Sequence, residues 1–161
     1  MPSLTVAILA GIAALAQARS AELGRHRLTN QEAGELAAGV IEAAALPGGP
    51  PPTLLLAVIE AESEYADRCS PTKCCGVTQM SKRTWCWMAG MAGVAKDRRS
   101  LRQQARLGGA YLHYLHDRRG TWRRSLLSYS TGPTAASYTA KVLRRWRYLN
   151  ERIRHERERR V

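Results

Sequence analysis

Residues 53–65 of this 161-residue chain read TLLLAVIEAESEY and directly follow three consecutive prolines at positions 50–52. Apolar side chains recur at the spacing of one helical face, and a glutamate continues that face: Leu55, Val58, Ile59 and Glu62. Glu60 and Glu64 project elsewhere. The pattern predicts a helix that begins after the prolines and carries Glu62 on its apolar side.

A carboxylate on an apolar helix face has two interpretations. If Glu62 is held against apolar neighbours, desolvation raises its pKa and keeps it protonated near neutral pH, as a general acid requires. If Glu62 lies at the edge of the buried stripe, its side chain simply bends out to water. The helix alone favours the second interpretation, and the sequence that follows Glu62 favours the first.

Short motifs follow Glu62 in a fixed order. Ser63 comes next, and a Ser70-Pro71 pair leads to GVTQM at 76–80. Further on lie GAYLHYL at 109–115, with Gly109, Tyr111, Leu112 and Leu115, and YSTGP at 129–133, followed by Tyr138, Lys141, Val142 and Leu143. Together these motifs resemble those of the Slt-type lytic transglycosylases, a family similar in fold to goose-type lysozyme. The resemblance extends from Thr53 to Leu143.

The resemblance implies an enzyme that cleaves peptidoglycan with a single carboxylate. Many glycosidases use two carboxylates, but the other acidic residues near these motifs lie in no recognisable motif or apolar context: Glu60, Glu64, Asp67, Asp97 and Asp117. By resemblance, the N-acetyl group of the substrate assists, while Glu62 first protonates the leaving oxygen and then draws the proton from the C6 hydroxyl. The implied product is a 1,6-anhydro sugar. Hydrolysis by water, as in a lysozyme, is the alternative.

The resemblance also implies a set of substrate-binding residues, which are Ser63, Ser70, Gln79, Tyr129, Ser130 and Tyr138. The two serines are expected near Glu62 or its sugar, the Gln79 amide on the saccharide, and the Tyr129 phenol beside the acid. The chain departs from the family pattern at several points: a shorter link from Glu62 to Ser70, two cysteines before Gly76, Thr78 in place of Met, and Ser130 in place of Asn. No metal and no organic cofactor is expected.

Composition predicts a mainly α, lysozyme-like domain with at most a small β-hairpin or irregular loop near residues 69–80. Helix-forming residues are abundant, and alternating β-type runs are scarce. Further helices are predicted over 29–45, where Thr29 and Glu32 match a capping box, and over 101–117 and 122–129. We divide the chain into an apolar N-terminal segment (1–20), a catalytic domain (21–143) and an Arg-rich C-terminal helix (144–161) packed on that domain.

The N-terminal segment carries no charge from Leu4 to Ala18. Its length and its small residues suit the apolar region of a signal peptide, although no basic residue precedes it. A buried or interfacial Ala-rich helix is the alternative interpretation, and the sequence leaves the two open.

Four cysteines lie close together around the predicted loop: Cys69, Cys74, Cys75 and Cys86. The adjacent pair makes a four-cysteine metal site awkward, and disulfides fit better. Two crosslinks would hold the loop against the Glu62 helix and would indicate an oxidising compartment, so periplasm, cell envelope or virion is expected. Sequence does not choose among the three pairings, and reduced thiols remain an alternative.

The formal net charge is +12, and the segment from Thr139 to Val161 holds nine basic and three acidic residues, which is half of it. Val142, Trp146, Leu149 and Ile153 form one apolar stripe, so this segment is predicted to pack as a helix with an Arg-rich outer face. That face could bind anionic polymers or a larger phage or secretion assembly. Nucleic acid is not expected as the main ligand, because no recognition motif is present. A basic structural protein with a degenerate enzyme fold is the rival hypothesis.

Overall fold

The computed structural model describes residues 4–94, 96 and 100–159. Within these residues the chain forms seven helices, namely α1 (Leu4–Leu23), α2 (Asn30–Ala44), α3 (Pro52–Ser63), α4 (Lys82–Met91), α5 (Leu101–Arg119), α6 (Trp122–Tyr129) and α7 (Ala135–Glu158). The described chain contains no β-strand, and the loop between α3 and α4 has two isolated β-bridges, Cys69 with Cys75 and Cys75 with Met80. The predicted mainly α fold with an irregular loop is confirmed.

Helix α3 is the centre of the domain. It contacts α1, α2, α5 and α7, and every residue from Thr53 to Glu60 is buried. A helix that is apolar on all sides is typical of a core position. The sequence pattern predicted burial of one face of this helix. The structure buries the other sides too, because Leu54, Leu56 and Ala57 are also inside the core.

Local signals set most helix starts. The Thr29 side chain accepts a hydrogen bond from the Glu32 backbone, and the Glu32 carboxylate accepts one from the Thr29 backbone, so the predicted capping box is confirmed. Ser81, Ser100 and Thr121 cap α4, α5 and α6 in the same way with their hydroxyls. Helix α3 ends where Glu64 and Tyr65 take positive φ values of 52° and 67°.

Helix α1 packs on the domain from Leu9 onward, and its first turn does not. Ile12, Leu15 and Ala16 join the core, whereas the side chains from Thr5 to Ile8 are exposed. Length and composition would allow residues 5–23 to cross a membrane, a weak indication because core helices and signal sequences pass the same test. The structure therefore shows a helix here, and cleavage of the segment stays a prediction.

Helix α7 runs without a break past the boundary predicted at 143/144. The four residues of the predicted apolar stripe lie against the core, with Val142 and Leu149 buried and Trp146 and Ile153 partly buried. The Trp146 indole donates to the Thr53 hydroxyl at 3.0 Å, and that hydroxyl donates to Asn150 at 2.7 Å. The Arg-rich segment is thus continuous with the turns that carry Tyr138 and Lys141.

Candidate active site

Glu62 lies in the last turn of α3 and is half-buried. Desolvation raises the pKa of its carboxyl, while the Tyr138 hydroxyl and the Lys141 ammonium act to lower it. The two side chains come from one face of α7, three residues apart. Of the two interpretations of Glu62, the structure supports the desolvated carboxyl over the solvated helix edge.

Lys141 and Tyr138 complete the wall of α7 that faces Glu62. The Lys141 ammonium donates to the Ala61 carbonyl at 3.0 Å, and burial together with nearby Arg145 lowers the Lys141 pKa. The Tyr138 hydroxyl is buried and makes no hydrogen bond of ordinary geometry to any described residue. Burial and the adjacent Glu62 hold the Tyr138 pKa well above its ordinary value, so it is a neutral donor aimed at the acid. Lys141 was missed as a site residue, although its spacing from Tyr138 was the available signal.

Tyr129 ends α6 and joins the same site. Its hydroxyl donates to the Thr78 carbonyl at 3.0 Å, and burial together with Glu62 raises its pKa well above the ordinary value. Its ring lies parallel to that of Tyr138, with centroids 6.5 Å apart. Ser130 follows as the C-cap of α6, and its backbone N–H donates to the Leu126 carbonyl. The structure thus brings Tyr129 and Tyr138 to Glu62, as predicted for Tyr129, and shows Ser130 in a backbone role.

The loop that carries Gly76 and Gln79 is fixed by a residue of α5 that the sequence did not single out. The buried Gln104 amide accepts from the Val77 N–H at 2.8 Å and donates to Asp67 at 2.9 Å. Gly76 has a φ of +83°, and a Cβ there would come within 2.8 Å of the Gln104 oxygen. Thr78 fills the space over Gly108, which a Cβ on that glycine would occupy. Thr78, which stands where the family pattern has Met, therefore packs closely against a position that has no side chain.

Three predicted substrate residues make contacts within the protein. Ser63 is fully buried, and its hydroxyl bonds to the carbonyls of Ile59 and Val77 at 3.1 and 2.8 Å, so it ties α3 to the loop and does not reach a sugar. The Ser70 hydroxyl contacts Thr72 and accepts from the Cys74 N–H, which closes a tight turn. The Gln79 amide nitrogen donates to the carbonyls of Arg68 and Gly76. Of the three, Gln79 is half-buried and uses its amide nitrogen for both contacts.

The cysteines form one disulfide where two were expected. Cys69 bonds to Cys75, and Cys74 and Cys86 are half-buried free thiols. The crosslink closes the 69–75 turn on itself and does not bridge to α3. Within the described ranges, no cluster of three His, Cys, Asp or Glu side chains has a geometry that could hold a metal ion.

The other carboxylates considered from sequence are engaged elsewhere. Glu60 is 1% exposed and bonds to Arg19 at 2.6 Å, with Arg145 at 3.5 Å, so it is a buried carboxylate in a charged context. Glu64 pairs with Arg25, Asp67 with Gln104 and Asp117 with His113. Asp97 lies outside the described residues. The side chains that shift the pKa of Glu62 are Tyr138 and Lys141, and neither is a carboxylate.

A row of aromatic rings leads away from the acid. The Tyr129 ring lies 5.3 Å from that of Tyr111, and Trp87 lies 6.4 Å from Tyr111 and 4.7 Å from Tyr114. Trp87 is 41% exposed. Sequence reasoning noted Tyr111 within a motif but assigned no role to Trp87 and Tyr114, because their proximity depends on the packing of α4 on α5.

The transglycosylase SLT domain profile matches residues 39–145, from within α2 to within α7. This range covers about two thirds of the chain and contains Glu62, the 76–80 loop, Tyr129, Tyr138 and Lys141. A search of curated proteins found no match to this chain.

Proposed function

We propose, from the premise that this chain belongs to the transglycosylase SLT domain family, that it cleaves the β-1,4 bond between N-acetylmuramic acid and N-acetylglucosamine and leaves a 1,6-anhydro end. Members of this family are peptidoglycan lytic transglycosylases, so the chain is an enzyme of this kind and peptidoglycan is its substrate. The bond and the product are the proposal. The observation that carries it is a single desolvated carboxyl, Glu62, with no carboxylate among the groups that act on it.

The raised pKa suits the first step. Protonated Glu62 gives its proton to the bridging oxygen as the C1–O4 bond breaks, and the N-acetyl oxygen of the substrate supports the developing positive charge at C1. The carboxylate that remains is stabilised by the Tyr138 hydroxyl and the Lys141 ammonium, the two groups that lower its pKa.

The second step restores the acid. Glu62 takes the proton of the C6 hydroxyl while that oxygen forms the new bond to C1, so no water enters the product and no second carboxylate is required. In a retaining glycosidase a second carboxylate about 5–5.5 Å from the acid would act as nucleophile. Here the described acidic residues considered for that role are paired with other side chains.

Mass spectrometry of digested peptidoglycan tests this function. We expect muropeptides with 1,6-anhydro ends from the wild type, and none above background from Glu62→Gln protein with an unchanged circular dichroism spectrum. Reducing ends in place of anhydro ends would show hydrolysis and overturn the proposed product. Undiminished release by Glu62→Gln would overturn the assignment of the acid.

We further propose that the enzyme works in the periplasm, cell envelope or a virion, where it opens the wall locally for a phage or secretion assembly. The Cys69–Cys75 disulfide supports an oxidising compartment. Arg144, Arg147 and Arg154 are exposed along α7 and support docking of an acidic partner. Fractionation of cells that express the full chain, with thiol counting on each fraction, tests the compartment: a cytoplasmic pool with four free thiols would contradict it.

A further inference from the structure

A second cavity lies beside the loop, on the side of α4. Its volume is about 650 Å³, and its lining consists of Cys69, Lys73, Cys75, Lys82, Trp85, Cys86 and Lys96. The buried Trp85 ring, the disulfide and the Cys86 thiol supply its apolar walls. Trp85 also donates from its indole nitrogen to the Lys96 carbonyl at 3.0 Å, which fixes the backbone of Lys96 at the edge of the cavity.

Three lysines surround this apolar space, and that is unusual for this chain. The sequence contains only four lysines, and its other basic side chains, apart from histidine, are arginines. Lys73, Lys82 and Lys96 are exposed, and among the described residues no acidic side chain lines the cavity and none forms an ion pair with these three lysines. Three positive charges around an apolar floor favour an anionic occupant with an apolar body.

The cavity and the Glu62 site share one loop. Lys73 and Cys75 face the cavity, while Val77 and Thr78, two and three residues beyond Cys75, bond to Ser63 and Tyr129 of the site. Cys74, between the two cavity residues, lies near enough to Tyr129 to act on that phenol. The cavity and the Glu62 site are therefore held in place by the same short segment of the loop.

We propose that this cavity binds the carboxylate-bearing peptide of the peptidoglycan strand, with its carboxylates on the lysines and its apolar side chains on Trp85 and the disulfide. The inference rests on the proposed function, because it assigns a second part of the same substrate. In a peptide-bearing strand the lactyl carboxyl of N-acetylmuramic acid is taken up in the amide bond to the peptide, so the charge that could match three lysines resides in the peptide. Lysine suits this role because its flexible, point-like ammonium meets carboxylates at varied positions, whereas arginine favours a fixed planar fork.

The test compares two substrates with one variant. Lys73→Gln/Lys82→Gln/Lys96→Gln protein is assayed on peptide-bearing glycan strands and on the same strands stripped of peptide by an amidase. We expect KM to rise about tenfold on the peptide-bearing strands, as loss of three exposed ion pairs implies, with kcat unchanged, and we expect a smaller rise on stripped strands, where each muramic acid keeps only its lactyl carboxylate. The matched control is Arg27→Gln/Arg123→Gln/Arg124→Gln, which removes the same charge from exposed positions outside the cavity.

Each outcome is decisive. Equal effects of the lysine variant on both substrates, or no effect on either, would overturn the peptide site. If the wild type releases no product from either substrate, the proposed function fails, and calorimetry decides this inference separately: soluble peptide should bind Glu62→Gln protein and lose that binding when the three lysines are also replaced. Binding of inorganic phosphate without binding of peptide would overturn the choice of ligand.

Discussion

Glu60 and Glu62 lie two residues apart on α3, and they meet opposite environments. Glu60 faces α1 and α7, where Arg19 and Arg145 contact its carboxylate and the Tyr65 hydroxyl lies 3.5 Å away. Glu62 instead meets two tyrosines and one lysine, and its carboxyl is desolvated. Glu60 is the more buried of the two.

The difference shows that burial by itself does not identify a catalytic acid. Glu60 is engaged by two guanidinium groups inside the fold, where it ties α1 and α7 to α3. Desolvation raises the pKa of Glu62, which favours the protonated form that a general acid needs. The groups that meet the carboxylate decide its role.

The largest expected effects are a loss of activity when Glu62 is replaced and a loss of stability when Glu60 is replaced. Glu62→Gln should lower kcat by about 100- to 10,000-fold, because the proton donor is removed, without loss of folding free energy. Glu60→Gln should lower the free energy of unfolding by about 3–5 kcal/mol, because it leaves Arg145 without its anion and removes one of the two carboxylates that Arg19 contacts. Urea unfolding and muropeptide release, measured on both variants, check the pair. Equal loss of activity from the two folded variants would contradict a catalytic role for Glu62 and a structural role for Glu60.

A smaller loss is expected from the arginine that α1 supplies. Arg19→Gln leaves Arg145 beside Glu60 and should lower the free energy of unfolding by about 1.5–3 kcal/mol, which is typical of a hydrogen bond to a charged group. Activity of the folded protein should not change. Thermal unfolding checks the first expectation, and Arg25→Gln, which breaks the exposed pair with Glu64, is the control with little expected effect.

A still smaller effect is the pH dependence that Glu62 gives to the stability of the fold. The folded state raises the pKa of Glu62 above its ordinary 4.5, so the folded chain binds more protons than the unfolded chain above that pH. The cost of charging Glu62 is therefore absent at lower pH and grows as pH rises. Glu62→Gln should match the wild type in Tm below pH 4.5 and exceed it near neutrality, by a difference that widens as pH rises. An unchanged difference across this range would contradict the raised pKa.

The smallest expected change concerns the pH profile. Lys141 lowers the pKa of Glu62, so Lys141→Met should raise that pKa further and move the alkaline limb of the activity profile to higher pH. Lys141→Arg keeps the charge and should keep the limb near its wild-type position. A limb that moves equally in both variants would point to packing in place of charge.

The sequence predicted most of the helices because their signals are local. The Thr29–Glu32 capping box and the segment from Trp122 to Tyr129 are read within a few residues, and both helices form as predicted. Helix α4 was not predicted, because its basic and aromatic residues show no clear period and its burial depends on packing of Trp85 and Met88 around Leu107.

The site was predicted less completely, for a physical reason. Glu62 and Tyr129 were identified through motifs, but Gln104 acts on Val77 across 27 residues of sequence. The family resemblance led us to expect the Ser63 hydroxyl near Glu62 or its sugar. In the structure that hydroxyl donates a hydrogen bond to the Val77 carbonyl inside the fold. Cysteine pairing likewise depends on distances in space, and only Cys69 and Cys75 meet.

The two tryptophans of α4 give this enzyme a built-in optical probe. Trp85 is enclosed and bonds to the Lys96 carbonyl, while Trp87 is 41% open to solvent next to Tyr114. We expect Trp87 to emit at longer wavelength and to be quenched first by iodide or acrylamide, so that the emission left over comes from Trp85 together with the half-buried Trp122 and Trp146. Glycan that covers the outer ring and peptide that enters the cavity would then change different parts of one spectrum.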